Sequence, residues 1–182
     1  MNLMDTLLEA GQGAVAREIG GKLGLNATQA QSAMEQLLPS IARGIQRNSA
    51  QPGGLDALLG ALKSGNHQRY VDHPEELTQG ASIADGNAIL GHILGSKDVS
   101  RNVAGRAAAQ SGIGADILKQ MLPMVAAAAM GSLGKQVTGG GSLSSLSGGN
   151  QGGMANVLES FLDADRDGAV LDDVLGLAKK FF

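Results

Sequence analysis

Residues 114–136 read GADILKQMLPMVAAAAMGSLGKQ, the longest apolar run in the chain, and their reading decides the fold. Ile117, Leu118, Met121, Leu122, Val125, Ala129 and Leu133 recur every three or four positions, the spacing of a helix with one wide buried stripe. The opposite face is mostly alanine, so neighbouring helices can approach closely there too. A transmembrane segment is not expected, because the charge-free stretch 120–134 covers 15 residues and a span needs roughly 20. Pro123 removes a backbone donor and crowds the carbonyl of Lys119, so the helix should kink or restart there. The run reads as the central helix of a soluble bundle that the rest of the chain is built to cover.

Composition bounds what that bundle is made of. Aromatic residues are 2% of the chain, so the core must be Leu, Ile, Val, Met and Ala packed closely rather than filled with large rings. The absence of cysteine excludes disulfides, thiolate zinc sites and cysteine nucleophiles. Residues 1–137 carry 11 Lys/Arg and 11 Asp/Glu, whereas residues 138–182 carry 3 and 6, which supplies the whole net charge of −3. All three phenylalanines (Phe161, Phe181 and Phe182) lie in that acidic tail. The linear sequence shows no basic patch to neutralise phosphates and no aromatics to stack bases, so nucleic acid is not an expected partner.

Outward from the central run, the chain reads as helices separated by glycine turns. Leu3, Leu7 and Leu8 suggest a short first helix. Val15, Ile19 and Leu23 mark a second that ends at Gly24 as a C-terminal cap. Asn26 with Gln29 reads as a capping box, opening a long helix with the stripe Ala30, Ala33, Met34, Leu37, Leu38, Ile41 and Ile45 and an interior Pro39. Leu55, Leu58, Leu59 and Leu62 give a short amphipathic helix. In the polar stretch 64–77, Pro74 followed by Glu75 and Glu76 is helix-start chemistry. Residues 85–94 and 97–110 predict two further helices, the second capped by Ser96.

Part of this pattern occurs twice. VAREIGGKLGL at 15–25 aligns on VAGRAAAQSGI at 103–113, and EQLLPSIA at 35–42 aligns on KQMLPMVA at 119–126. Each copy is a helix, a glycine turn and a proline-bearing apolar helix. The expected fold is therefore all-α: a compact helical bundle with two pseudo-repeated helix pairs in a core of residues 1–137. Residues 138–153, TGGGSLSSLSGGNQGG, form a Gly/Ser linker that cannot bury a core. Residues 154–182 read as a helix, an acidic loop and a final helix.

DGNAILGHILGSKDVSRNVA at 85–104, followed by LPMVAAAAMG at 122–131, resembles the bacterial family called domain of unknown function 937, related to the YidB-like helical proteins. The resemblance covers most of residues 1–137, and the tail is similar to acidic tails found on such proteins. It implies an all-helical fold and carries no established activity or catalytic residues.

The sharpest candidate site lies in the tail. Asp163, Asp165 and Asp167 followed by Gly168 match positions 1, 3, 5 and 6 of an EF-hand calcium loop, and the Ala169 carbonyl stands at position 7. The second half departs from the pattern, since position 12 is Val174 where a bidentate Glu belongs. Asp173, or Asp172, would have to close a shortened loop. Calcium (Ca2+) is thus the expected cofactor, and the alternative is an acidic turn whose aspartates cap the last helix. A second cluster is His67, Tyr70, Asp72 and His73. It offers metal-ligand chemistry without a spacing that fixes geometry, so His67 and Tyr70 read first as rings packed on the bundle with wetted polar tips. His92 reads as a hydrogen-bonded boundary residue. The alanine run 126–129 reads as close helix packing inside the domain, or as a helix contact between subunits.

These features favour a non-catalytic helical module that binds a protein partner or forms a homo-oligomer, with a calcium-responsive tail on a flexible tether. The rival readings are a metal-dependent hydrolase using His67, Asp72 and His73, and an exported protein acting on membranes or host proteins. The segment MNLMDTLLEAGQG lacks the layout of a signal peptide. A cytoplasmic location is the default expectation, with signal-independent export as its alternative.

Overall fold

The computed structural model describes residues 13–139, and every regular element among them is helical. In chain order these are α1 (Ala14–Leu23), α2 (Ala27–Ser49), α3 (Gly54–Ser64), the single turn α4 (Arg69–Asp72), a 3-10 turn (Pro74–Thr78), α5 (Gly80–Leu94), α6 (Lys97–Ser111) and α7 (Ala115–Gly139). The expected helix near Leu3, the segment 140–153 and the tail 154–182 lie outside the described residues.

The apolar run is α7, and it occupies the centre, touching every other helix and the 3-10 turn. Each residue from Met121 to Gly134 is buried. By length and composition the stretch Ala115–Lys135 passes for a membrane span, yet 83% of its most apolar 18-residue window is buried inside the protein. Ala126, Ala127, Ala128 and Ala129 are all 0% exposed. The alanine run is therefore consumed by close packing inside the domain, and its reading as a contact between subunits is corrected. Small side chains are needed because backbones meet here: a Cβ at Gly86 of α5 would sit 2.0 Å from the carbonyl oxygen of Pro123.

Local chemistry sets the helix ends. The Asn26 side chain accepts from the Gln29 amide at 2.9 Å while Gln29 Oε1 accepts from the Asn26 amide at 3.1 Å, the reciprocal capping box. All seven residues of the predicted α2 stripe are buried. Gly24 closes α1 in the left-handed region at φ 72°, and the Leu25 amide donates to the Gly20 carbonyl at 2.8 Å, a Schellman closure. Gly112 closes α6 at φ 71°, but there the Gly112 amide donates to the Ala108 carbonyl at 2.9 Å and the Ser111 hydroxyl accepts from Ile113. The two glycine junctions share a conformation and differ in how they satisfy the last carbonyls.

Two elements depart from expectation. Helix α5 starts at Gly80, five residues before Asp85, because Gln79 is extended at ψ 153° and Ala81, Ser82 and Ile83 already continue the helix. Pro74, Glu75 and Glu76 start only a 3-10 turn; the Gln79 amide closes it on the Glu76 carbonyl at 3.0 Å, and the Ser82 hydroxyl of α5 donates to the same oxygen.

Candidate functional site

The residues of the proposed hydrolase cluster do not converge. Asp72 pairs with Lys135 of α7, His73 lies beside Glu75 at 3.3 Å with 62% of its side chain exposed, and His67 is turned inward against Tyr70, ring centroids 6.0 Å apart. Among the described residues no group of three His, Asp or Glu is placed to hold a metal. Tyr70 is 0% exposed, so its tip is not wetted as expected. Its hydroxyl donates to Asp85 Oδ2 and accepts from Arg69 Nη2 at 2.8 Å. Arg69 lies 4.8 Å over the Tyr70 ring and also approaches Asp85 and Glu76. This network ties α4 to α5 and the 3-10 turn.

His67 is buried, and its Nδ1 has no hydrogen-bond partner. Burial holds its pKa below the ordinary imidazole range; Asp85 opposes that shift and Arg69 adds to it. His92 is exposed rather than a boundary residue, and its backbone carbonyl, not its ring, is engaged by Asn48 Nδ2 at 3.1 Å. Asp163, Asp165, Asp167, Ala169, Asp172 and Asp173 lie outside the described residues.

A site absent from the linear reading is formed by α2, the end of α5 and α6. Gly44 is the pivot: a Cβ there would lie 2.8 Å from the Ile93 carbonyl oxygen, so only glycine lets the end of α5 settle on α2. The Asn48 bond to His92 fixes that contact. Gly95, left-handed at φ 77°, then turns the chain, and Ser96 caps α6 by accepting from the Val99 amide. The corner so formed borders a cleft of about 260 Å³. One wall carries Arg43 and Arg47, one turn apart on α2, and the other carries Arg106 of α6. The apolar floor comes from Ile93, Leu94 and Val103. Val99 at its rim is 40% exposed, the one large hydrophobic residue so exposed among the described residues.

Arg43, Arg47 and Arg106 are exposed and make no ion pair or hydrogen bond among the described residues. Among the described residues no acidic side chain lines the cleft. Across α6 a second concavity carries Lys97, Arg101 and Lys119. Only Arg101 and Lys119 are neutralised there, by Asp98 at 2.8 Å and Asp116 at 2.9 Å. This flank is thus cationic in a domain whose charges balance overall, which corrects the expectation of no basic patch. Arg43 and Arg47 stand four apart on a helix, a spacing readable in the sequence. Their meeting with Arg106 is a consequence of the fold.

Comparison with curated proteins and with solved structures finds no match. The family comparison matches residues 5–136, about the extent of the helical domain, and the chain belongs to the family described as bacterial protein of unknown function (DUF937).

Proposed function

We propose that this domain is a non-catalytic binding module whose docking surface is the arginine-lined cleft, and that its ligand is an acidic polypeptide segment with apolar side chains. The observation that carries the reading is the coincidence, in one cleft, of Val99 with three arginines that have no partner among the described residues. Guanidinium groups bind carboxylates bidentately, while exposed apolar surface next to them favours a ligand that covers it. The cleft is smaller than the usual 300–1,000 Å³ of small-molecule pockets, which suits a few side chains laid along a groove. Among the described residues no aromatic side chain lines the cleft to stack a base, and that favours protein over nucleic acid. The tail 154–182 remains, in this reading, a tethered calcium-responsive element.

The test is a titration of the full chain, followed by backbone amide shifts, with a short peptide combining aspartate, leucine and phenylalanine. Shifts should cluster at Arg43, Arg47, Val99 and Arg106, and a matched peptide with lysine in place of aspartate should cause none. Equal shifts with inorganic phosphate alone would make the cleft a plain anion site. Absence of any shift at millimolar peptide rejects the reading.

A further inference from the structure

We infer that the occupant of the arginine cleft is the chain's own acidic tail, the segment around Phe161–Asp173, docked within the same molecule; this rests on the proposed binding role of the cleft. The two surfaces are complementary in charge. Around α6, Arg43, Arg47, Lys97 and Arg106 are left without acidic partners among the described residues. The residues beyond 153 hold six acids, Glu159, Asp163, Asp165, Asp167, Asp172 and Asp173, against Arg166, Lys179 and Lys180. They are complementary in hydrophobicity as well. Phe161 and Leu162 directly precede the aspartates, and Val170 and Leu171 follow them, so one short segment brings both carboxylates and apolar groups. Val99 and the floor of the cleft offer the apolar counterpart.

The tether permits it. Gly86 of α5 meets Pro123 of α7, and farther along α5 Leu90 and Gly91 share a concavity with Lys119 and Leu122. The two helices therefore run antiparallel, and the end of α5 that borders the cleft lies near the start of α7. From Lys119 to the end of α7 at Gly139 is about 30 Å at 1.5 Å per residue. Residues 140–153 reach at most about 48 Å when extended and about 20 Å on average as a Gly/Ser coil. The tail can return along the bundle, with its tether stretched beyond its mean length. A tethered ligand at an effective concentration near millimolar then occupies a weak site for much of the time. The docked tail would compete with any acidic partner, which makes it an autoinhibitory contact.

The full chain tests this directly, because it has no cysteine and accepts a single nitroxide at Ser160→Cys. At low salt the amide signals of Arg43, Arg47, Asn102 and Arg106 should lose intensity by more than about two-fold against the reduced label. They should recover at about 1 M salt, where the screening length is ~3 Å. The triple change Arg43→Gln, Arg47→Gln, Arg106→Gln should abolish the loss. So should Asp163→Asn, Asp165→Asn, Asp167→Asn, which leaves the helical domain untouched and guards against misfolding of the arginine variant. Broadening confined to the end of α7, or spread evenly, overturns the proposal. Broadening carried over to unlabelled molecules in a mixed sample also overturns it, because the tail would then dock on a second copy. Should the tail fail to broaden the cleft while the acidic test peptide still shifts it, the tail is not the occupant and the binding role stands. Failure of both removes both.

Discussion

Gly86 and Pro123 meet backbone to backbone: a Cβ at position 86 would lie 2.0 Å from the Pro123 carbonyl oxygen and 2.9 Å from its Cα. Neither helix can yield by rotating a side chain, because both contacting groups are main chain. Gly86→Ala should therefore push α5 off α7 despite alanine's better helix propensity. The expected loss is about 1–3 kcal/mol or more, the range for overpacked cores. Gly91 on the same helix has nothing within 4 Å of a built Cβ, so Gly91→Ala should be stabilising by up to ~1 kcal/mol. Urea denaturation of the two variants decides it, and equal effects would show that the α5–α7 contact is looser than described.

Leu38 and Leu122 precede the two helix-interior prolines and are 2% and 1% exposed. Truncating either to alanine removes a fully buried isobutyl group beside a backbone that has already lost a hydrogen bond. Each change should cost about 2–5 kcal/mol. Near-neutral behaviour of both would remove any shared core role for these positions.

Much of this was legible because helix periodicity and caps are local. The α2 stripe, the Asn26–Gln29 box and the glycine ends at 24 and 112 follow from spacings of a few residues. The burial of the alanine run was half legible: small residues announce close packing, but not whether the neighbour is the same chain or another. The start of α5 was missed because no capping side chain marks it. The cleft was missed for a different reason. Arg106 faces the α2 arginines because α6 packs directly on α2 while Gly44 lets the end of α5 close on the same helix, and no window of sequence contains both facts.

Acid should weaken the fold through His67. Its folded-state pKa is held below 6.5 by burial, so on acidification the unfolded chain takes up the proton first. The contribution is complete above the unfolded value and is lost as pH falls through the folded one. Denaturation midpoints should be lower at pH 5.5 than at pH 7.5. His67→Gln, neutral throughout, should flatten that difference whatever it does to stability itself. An unchanged pH dependence in the variant would assign the effect to other groups.

The tail couples calcium to the cleft if both use the same carboxylates. In the calcium loop we propose, Asp163, Asp165 and Asp167 would supply alternate ligands, and they are also the groups we place against Arg43, Arg47 and Arg106. One aspartate cannot serve a metal and a guanidinium at full strength, so the two bindings should oppose each other, and linkage makes the opposition reciprocal. Calorimetric titration of the full chain should show one weak calcium site, absent in Asp165→Ala and poorly filled by magnesium, which demands stricter octahedral geometry. Replacing the three arginines by glutamine should tighten that site by about 5-fold, the lower end of ordinary coupling between sites. No heat at millimolar calcium would leave the loop an acidic turn that caps its helix. A site whose affinity ignores the arginines would show that metal and cleft draw on different carboxylates.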